Sequence, residues 1–454
     1  MKTPILSLVI IFTFSIFANG QDPVALCQMQ VKTKRFEAAK LTCAAAVKSN
    51  PALGQMGLGL ASLGLLEWQN AIAAFSAALD ARGNASELYF YRGNANFLAG
   101  NYKAAYEDLS RASSLDPRIG ARAKEMTDAA REIASLLPVK KVPVNVEKRS
   151  LEVSLTANSL LIQRALKKTN KEPKEVIDAL DRQIVEKLNE AIRINKFNSH
   201  AYSSRASFYK AQNQRAKALI EYTKAIAVDP KSAPTIFSRG ELYAEMKNYQ
   251  MAIADFSTAI QINFEGLGYT SNYYSARADA YEKSGQKEKA LQDLNYMIEV
   301  RPNEAFGYSL RASYHLRQND RTKALADLNK AIEVAPKDAS NRLSRCRFYV
   351  EAKNFSAAVA DCTVAIDEKS FIISDIALTE RAVAYTGLKK FGLAMADLAT
   401  AEKSEYASKA EIYAQRGVIY AAQGKKAEAK IAFEAALKED PKNIKAANGL
   451  KSLN

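Results

Sequence analysis

The chain has 454 residues, of which 25% are charged and 48% hydrophobic, and 64 basic against 49 acidic side chains give it a formal net charge of +15. This is an ordinary globular composition without a disorder signature, and 12 prolines with 19 glycines suit a helix-rich fold with short turns. The charge surplus favours acidic partners at long range, but Lys and Arg are interspersed with Glu and Asp throughout, which excludes a dense basic patch for specific nucleic acid.

In chain order, the first element is an export signal over residues 1–20. Lys2 supplies a positive start, Ile5 to Phe17 is apolar apart from Ser7, Thr13 and Ser15, and Ala18-Asn19-Gly20 precedes an expected cut ahead of Gln21. The apolar run is well short of the ~20 residues that a membrane span needs. The mature chain is therefore expected to be secreted or periplasmic, without a transmembrane segment. Residues 21–137 are expected to hold about three helical repeats and a capping helix over Ile119 to Leu137. A linker over 138–150 opens on Pro138-Val139-Lys140-Lys141-Val142-Pro143, which the prolines bias toward an extended path. Residues 151–198 read as two helices, the second of which (IVEKLNEAIRIN) belongs to a degenerate repeat. Residues 199–454 are expected to hold about seven repeats, with a short cap over Ile444 to Leu450.

The repeat is clearest from Ser199 onward, where the sequence recurs about every 34 residues, the period of a helix-turn-helix unit. In each unit a first helix, A, carries a small residue: Gly93, Ala206, Gly240, Ala278, Ala312, Cys346, Ala382 and Gly417. Three positions on stands an aromatic, as at Tyr209, Tyr243, Tyr281, Tyr349, Tyr385 and Tyr420, with Asn96 and His315 as exceptions. A second helix, B, carries a small-bulky-small trio such as Ala218-Tyr222-Ala225, Ala252-Phe256-Ala259 or Ala429-Phe433-Ala436. Proline closes many units, for example Pro117, Pro230, Pro336 and Pro441, where it cannot continue helix B. Small residues three to four apart share a helix face, so two helices can approach closely and the bulky residue fills the gap. A single pair cannot cover its own apolar face, and stacking covers it.

This pattern resembles the tetratricopeptide repeat family. The resemblance implies an all-α fold, an α-α superhelical solenoid whose concave groove is lined by helix A and receives peptides. Helical phase then selects Phe90, Asn94, Phe97, Phe237, Glu241, Asp279, Phe306, Ser313 and Arg347 as groove candidates, with exposed aromatics as apolar anchors. The family's carboxylate clamp needs Lys and Asn at slots that here hold Ser203, Phe237, Ser275 and Ser309, then Ser207, Glu241, Asp279 and Ser313. That clamp is not expected to form.

Two further patterns accompany the repeat. Arg precedes the small residue of helix A at Arg92, Arg205, Arg239, Arg277, Arg311, Arg345, Arg381 and Arg416. An acid precedes the bulky residue of helix B at Asp108, Glu221, Asp255, Asp293, Asp327, Asp361 and Asp397, so a ladder of ion pairs is expected. Ala432 stands where the last acid should be, which predicts a free Arg416. Cys27 and Cys43 occupy the helix-A small slot and the helix-B bulky slot of one repeat, and Cys346 and Cys362 occupy the same slots of another. In the family fold these slots face each other, which implies two disulfides within repeats, as an exported chain can keep.

No catalytic constellation emerges. The only histidines, His200 and His315, lack a neighbouring nucleophile or zinc spacing, and no phosphate-binding glycine loop is complete. Neither metal nor cofactor is expected. The function that follows is binding of a protein or peptide partner without catalysis. The alternative is binding of an anionic envelope polymer or membrane surface through the net positive charge.

Overall fold

The computed structural model describes residues 22–82, 86–262, 270–367, 371–404 and 406–453, so the expected export signal lies outside the described residues. Among the described residues there are twenty-four α-helices and no strand. The chain divides into two compact units, Met1–Gly285 and Gln286–Asn454.

The first unit contains α1 (Pro23–Lys32), α2 (Phe36–Ser49), α3 (Pro51–Gly64), α4 (Trp68–Arg82), α5 (Ser86–Leu98), α6 (Tyr102–Leu115) and α7 (Pro117–Leu136). It continues with α8 (Val144–Thr169), α9 (Lys174–Ile194), α10 (Ser199–Ala211), α11 (Arg215–Val228), α12 (Ala233–Glu245), α13 (Tyr249–Ile262) and α14 (Thr270–Lys283). The second unit contains α15 (Lys287–Val300), α16 (Ala305–Arg317), α17 (Arg321–Val334), α18 (Ala339–Glu351) and α19 (Phe355–Asp367). It ends with α20 (Phe371–Gly387), α21 (Phe391–Ala401), α22 (Lys409–Ala422), α23 (Lys426–Glu439) and α24 (Ile444–Leu453).

Helices pair because the small slot of one meets the bulky slot of the next. A Cβ added at Gly240 would stand 2.7 Å from the Phe256 ring, one at Gly417 2.5 Å from Phe433, and one at Gly93 2.8 Å from Leu109. Those distances are too short for any side chain, so only glycine lets these helices approach so closely. In α3, Gly59 meets the Phe75 ring and Gly64 the Phe36 ring, so glycines that weaken the helix by propensity are required by its packing. The two disulfides sit in the same slots. Cys27–Cys43 and Cys346–Cys362 close with S–S lengths of 2.06 and 2.07 Å, replacing a small-against-bulky contact by a covalent bond.

Each tight A-to-B turn reverses the chain through one left-handed residue. Lys34, Leu66, Asn213, Lys247, Asn319, Lys353 and Lys389 hold φ between 57 and 64°. In the turn after α10, the Asn213 and Gln214 amides donate to the Lys210 and Tyr209 carbonyls, which satisfies the helix end. Several A helices start on a side-chain cap, as where Asn198 accepts from the Ala201 amide at the start of α10 and Asp338 from the Ser340 amide at the start of α18.

Between α7 and α8 the chain is non-helical only over 137–143. Helix α8 starts at Val144, so helix fills the later part of the stretch expected as linker and extends the helix expected from Leu151. Segments far apart in sequence meet in this unit. Leu66, Trp68 and Leu98 pack against a cluster that contains Leu242, Tyr243 and Met251. Leu136 at the end of α7 packs with Tyr202 and Ala225. An ion network reinforces that junction: Lys224 Nζ lies 2.7 Å from Glu132 Oε2 of α7 and 2.9 Å from Glu221 Oε1.

Candidate functional site

The A helices carry the groove candidates. In the first unit, α12 presents Phe237 and Glu241, and the neighbouring α14 presents Asp279. Phe237 is half-buried, its ring 4.5 Å from Tyr273 and 5.2 Å from Phe256 between centroids, so it packs between repeats more than it projects. Glu241 and Asp279 are accessible. Lys210 of α10 lies 3.6 Å from Glu241 and 3.0 Å from Glu245, and Lys283 lies 2.6 Å from Asp279. Burial by itself would lower the Lys210 ammonium, but the hydrogen bond to Glu245 and the charges of Glu241 and Glu245 carry it above its ordinary value. The Tyr222 hydroxyl lies 3.0 Å from Ser207 Oγ beside this lysine, and burial pushes the phenol up.

Earlier in the same unit, α5 carries Phe90, Asn94 and Phe97. The Arg122 guanidinium of α7 lies 5.0 Å from the centre of the Phe90 ring, and Phe97 meets Tyr102 edge-on at 5.5 Å. Asn94, expected on the groove surface, is buried, and its side-chain oxygen has no hydrogen-bond partner. In the second unit, Phe306 of α16 is 44% exposed. Ser313 on the same helix is exposed and donates to the Ser309 carbonyl, while Arg347 of α18 reaches Glu380 of α20 at 2.9 Å. The candidates therefore fall on separate stretches of wall. Among them, Phe237 and Glu241 lie one turn apart on α12 and Asp279 lies on α14 in the first unit, and Phe306, Ser313 and Arg347 occupy α16 and α18 in the second.

The arginine ladder is a structural device. Arg92, Arg239, Arg311, Arg345 and Arg381 each grip the acid of their own repeat through two nitrogens, at 2.6 to 2.9 Å. The hydrogen bonds to Asp108, Asp327, Asp361 and Asp397 hold the Arg92, Arg311, Arg345 and Arg381 guanidinium groups above their ordinary range. The acids are buried, so these pairs are not the exposed kind that contributes little. The third nitrogen reaches back to helix B of the preceding repeat. Arg205 Nη1 donates to Asn189 at 2.7 Å, Arg311 to Asn295 at 2.7 Å, Arg345 to Asn329 at 2.7 Å and Arg92 to Ser76 at 3.1 Å. The sequence reading missed this leg, although a small polar residue sixteen positions before each of these arginines is its signal.

Arg416 is not free. Its Nη2 lies 2.5 Å from Glu402, which follows α21 and substitutes for the acid that Ala432 does not supply. That hydrogen bond holds the Glu402 carboxyl below its usual range. Asn96 and His315, the two polar residues in the aromatic slot, both face the buried acid of their repeat. Asn96 donates to Asp108 at 3.1 Å, and His315 Nε2 lies 3.9 Å from Asp327. Burial lowers the His315 imidazole below its ordinary value, against the opposing pull of Asp327 and Asp320. His200 shares a hydrogen bond of 2.8 Å with Asn158 of α8.

Family models for the tetratricopeptide repeat match residues 56–117, 199–232, 233–265, 309–371 and 410–443. The chain is a tetratricopeptide repeat protein. Ahead of the matched residues, Cys27 of α1 and Cys43 of α2 join their helices by a disulfide. The human mitochondrial import receptor subunit TOM70 is 27% identical over 116 residues, a stretch that covers 25% of this tetratricopeptide protein and 19% of that receptor. Among solved structures, yeast Tom70 covers 95% of this chain and 94% of its own, at 15% identity and a TM-score of 0.47. A tetratricopeptide repeat protein from Parabacteroides merdae covers 56% of this chain and 98% of its own, at 20% identity and a TM-score of 0.43.

Among the described residues no cluster of three or more His, Cys, Asp or Glu side chains could hold a metal ion, and no helix is long and apolar enough to cross a membrane.

Proposed function

We propose that this protein is an exported, non-catalytic scaffold that holds a protein or peptide partner along the inner wall of its A helices. The observation that carries this reading is the division of labour between two sets of polar residues. The arginines and acids of the ladder bind one another inside the repeats, while Glu241 and Asp279 stay accessible on A helices of the first unit, and Phe306 and Ser313 on α16 of the second. An apolar ring among oriented polar groups is the pattern by which a groove anchors and aligns an extended or helical segment. Export is supported by the signal-like residues 1–20 and by two disulfides, which persist in oxidising compartments.

The test is a pull-down from the exporting compartment with the full chain, followed by identification of the bound protein. Glu241→Lys with Asp279→Lys should weaken capture of that partner while the melting temperature stays within a degree or two of the parent. Capture that ignores both charge reversals and Phe306→Ala removes the wall from the reading. Net charge favours one other class of partner, an anionic envelope polymer or membrane surface. That reading requires retention that falls steeply as salt rises.

A further inference from the structure

Helix α8 has two apolar faces and buries only one. Its inner face is closed by Ala157 and by a polar network in which Ser150 Oγ donates to the Ala191 carbonyl at 2.7 Å and Asn198 donates to Ser150 and Ser154. On the opposite side Leu151, Leu155, Ile162 and Leu166 are 42, 51, 64 and 60% exposed. Steps of four, seven and four residues return to nearly the same angle on a 3.6-residue helix, so these side chains form one straight row. From Leu151 to Leu166 the row runs about 22 Å. Single exposed aliphatics are ordinary, but four in line on one helix mark a contact surface.

We infer that this row on α8 receives an amphipathic helix of a protein partner, one with aliphatic residues in a four-three spacing and acidic residues beyond both ends of them. The inference rests on the scaffold reading above and names the chemistry of one partner segment. Charge selects the occupant. Lys148 lies in the row itself at its first end, with Lys140 and Lys141 just before the helix and Arg149 beside Glu147 and Glu152. At the other end Lys167 and Lys168 follow Leu166 on either side of the helix and Lys171 lies just beyond it, with Glu172 3.7 Å from Lys167. With bases at both ends, an acid-flanked helix is attracted in either direction. A second copy of α8 would set lysine against lysine in either direction and is disfavoured. A flat lipid surface is also disfavoured, because a second helix borders the row at its middle. Asn158 falls at the row's own angle between Leu155 and Ile162, and it shares a hydrogen bond with His200 of α10.

The experiment uses the full chain and a fluorescent helical peptide with leucines in the four-three spacing and glutamates at both ends, read by anisotropy. A matched peptide with lysine ends, and vesicles of mixed phosphatidylcholine and phosphatidylglycerol, serve as comparison arms. The acidic peptide should bind at least about tenfold more tightly than the lysine one, a difference of about 1.4 kcal/mol. Ile162→Asp should weaken it by about tenfold or more, as loss of a central apolar anchor does. Lys167→Glu with Lys168→Glu should narrow or reverse the preference between the two peptides. The mutated side chains are exposed, so melting curves should match the parent and separate lost binding from lost folding. Glu241→Lys with Asp279→Lys should leave this peptide unaffected. Partner capture sensitive to those two residues alone would therefore sink the α8 assignment and leave the scaffold reading standing. Equal binding of both peptides, vesicle binding that Ile162→Asp abolishes, or a wild-type dimer that Ile162→Asp dissociates would each overturn the proposal.

Discussion

Glu221 bridges the part-buried Arg205 and the buried Lys224, which makes it a sharp test of how the first unit is held together. Its Oε2 accepts from Arg205 Nε at 2.9 Å and Nη2 at 2.7 Å, and its Oε1 accepts from Lys224 Nζ at 2.9 Å. The Lys224 side chain is only 5% exposed, and its other partner, Glu132, is half exposed on α7. Glu221→Gln keeps the shape but leaves Arg205 without a counter-charge and the buried Lys224 with Glu132 alone. Removing one partner of a buried pair costs about 3–5 kcal/mol, because the remaining charge stays desolvated. Glu132→Gln removes the exposed end of the same network and should cost about 1 kcal/mol or less. Adding Lys224→Met to Glu221→Gln should recover part of the loss, since the buried ammonium, left with only the half-exposed Glu132, is then gone. Urea titration can be followed through Trp68, the only tryptophan, which packs both on the core around Phe75 and on the cluster around Tyr243. A shift in midpoint at constant slope measures the stability change. A loss below about 1 kcal/mol for Glu221→Gln, or equal losses for Glu221→Gln and Glu132→Gln, would refute the reasoning, because burial is what separates the two.

Three further outcomes follow from the repeats. Replacing Cys346 and Cys362 by alanine should lower the stability of the second unit by about 3 kcal/mol through the reopened loop; Cys346→Gly with Cys362→Phe should restore part of it by recreating the Gly240–Phe256 contact, and urea midpoints that agree across all three proteins would contradict this. Lys353 holds φ 58° in an exposed turn, so Lys353→Gly should stabilise by about 0.5–1 kcal/mol, net of glycine's larger unfolded-state entropy, and a lower melting temperature would count against it. His315 has its pKa lowered by burial, so the unfolded chain takes up a proton before the folded one does. Its stability contribution is complete above about pH 6.5 and is lost as pH falls below that value, whereas His315→Tyr should lack this component in melts across the same range.

Much of the fold is legible in the sequence because its determinants are local. Gly240 and Phe256, or Gly417 and Phe433, stand at a fixed interval within one repeat, and the helix pair follows from the contact that interval allows. The Arg239–Asp255 pair is legible for the same reason. What escapes the sequence depends on neighbours or on exposure. The bond from Arg311 to Asn295 crosses between repeats, and Glu402 rescues Arg416 from a loop that belongs to the preceding one. Asn94 shares its slot with Glu241 and Asp279, which are accessible, yet it is buried. Leucines spaced along α8 read as an amphipathic helix in either case, because periodicity places residues on a face without saying whether that face is covered.

The same locality separates stability from recognition. A ladder residue such as Asp255 touches Arg239 of its own repeat and lies buried, so a substitution there is felt by the packing of both helices before it is felt by any ligand. A wall residue such as Asp279 or Ile162 is exposed, and substitutions at exposed positions usually change stability by about 0.5 kcal/mol or less. Because each repeat contacts only its neighbours, the slots that build the solenoid can stay fixed while the wall changes from repeat to repeat. Here the wall runs from an aliphatic row with basic ends on α8, through Lys210 with Glu241 and Glu245 on α10 and α12, to Asp279 on α14. On the proposed scaffold reading, that order of chemistries suits a surface that reads a segment along its length. Binding should therefore respond to where a charge or an aliphatic residue stands in the partner, and not only to the partner's composition.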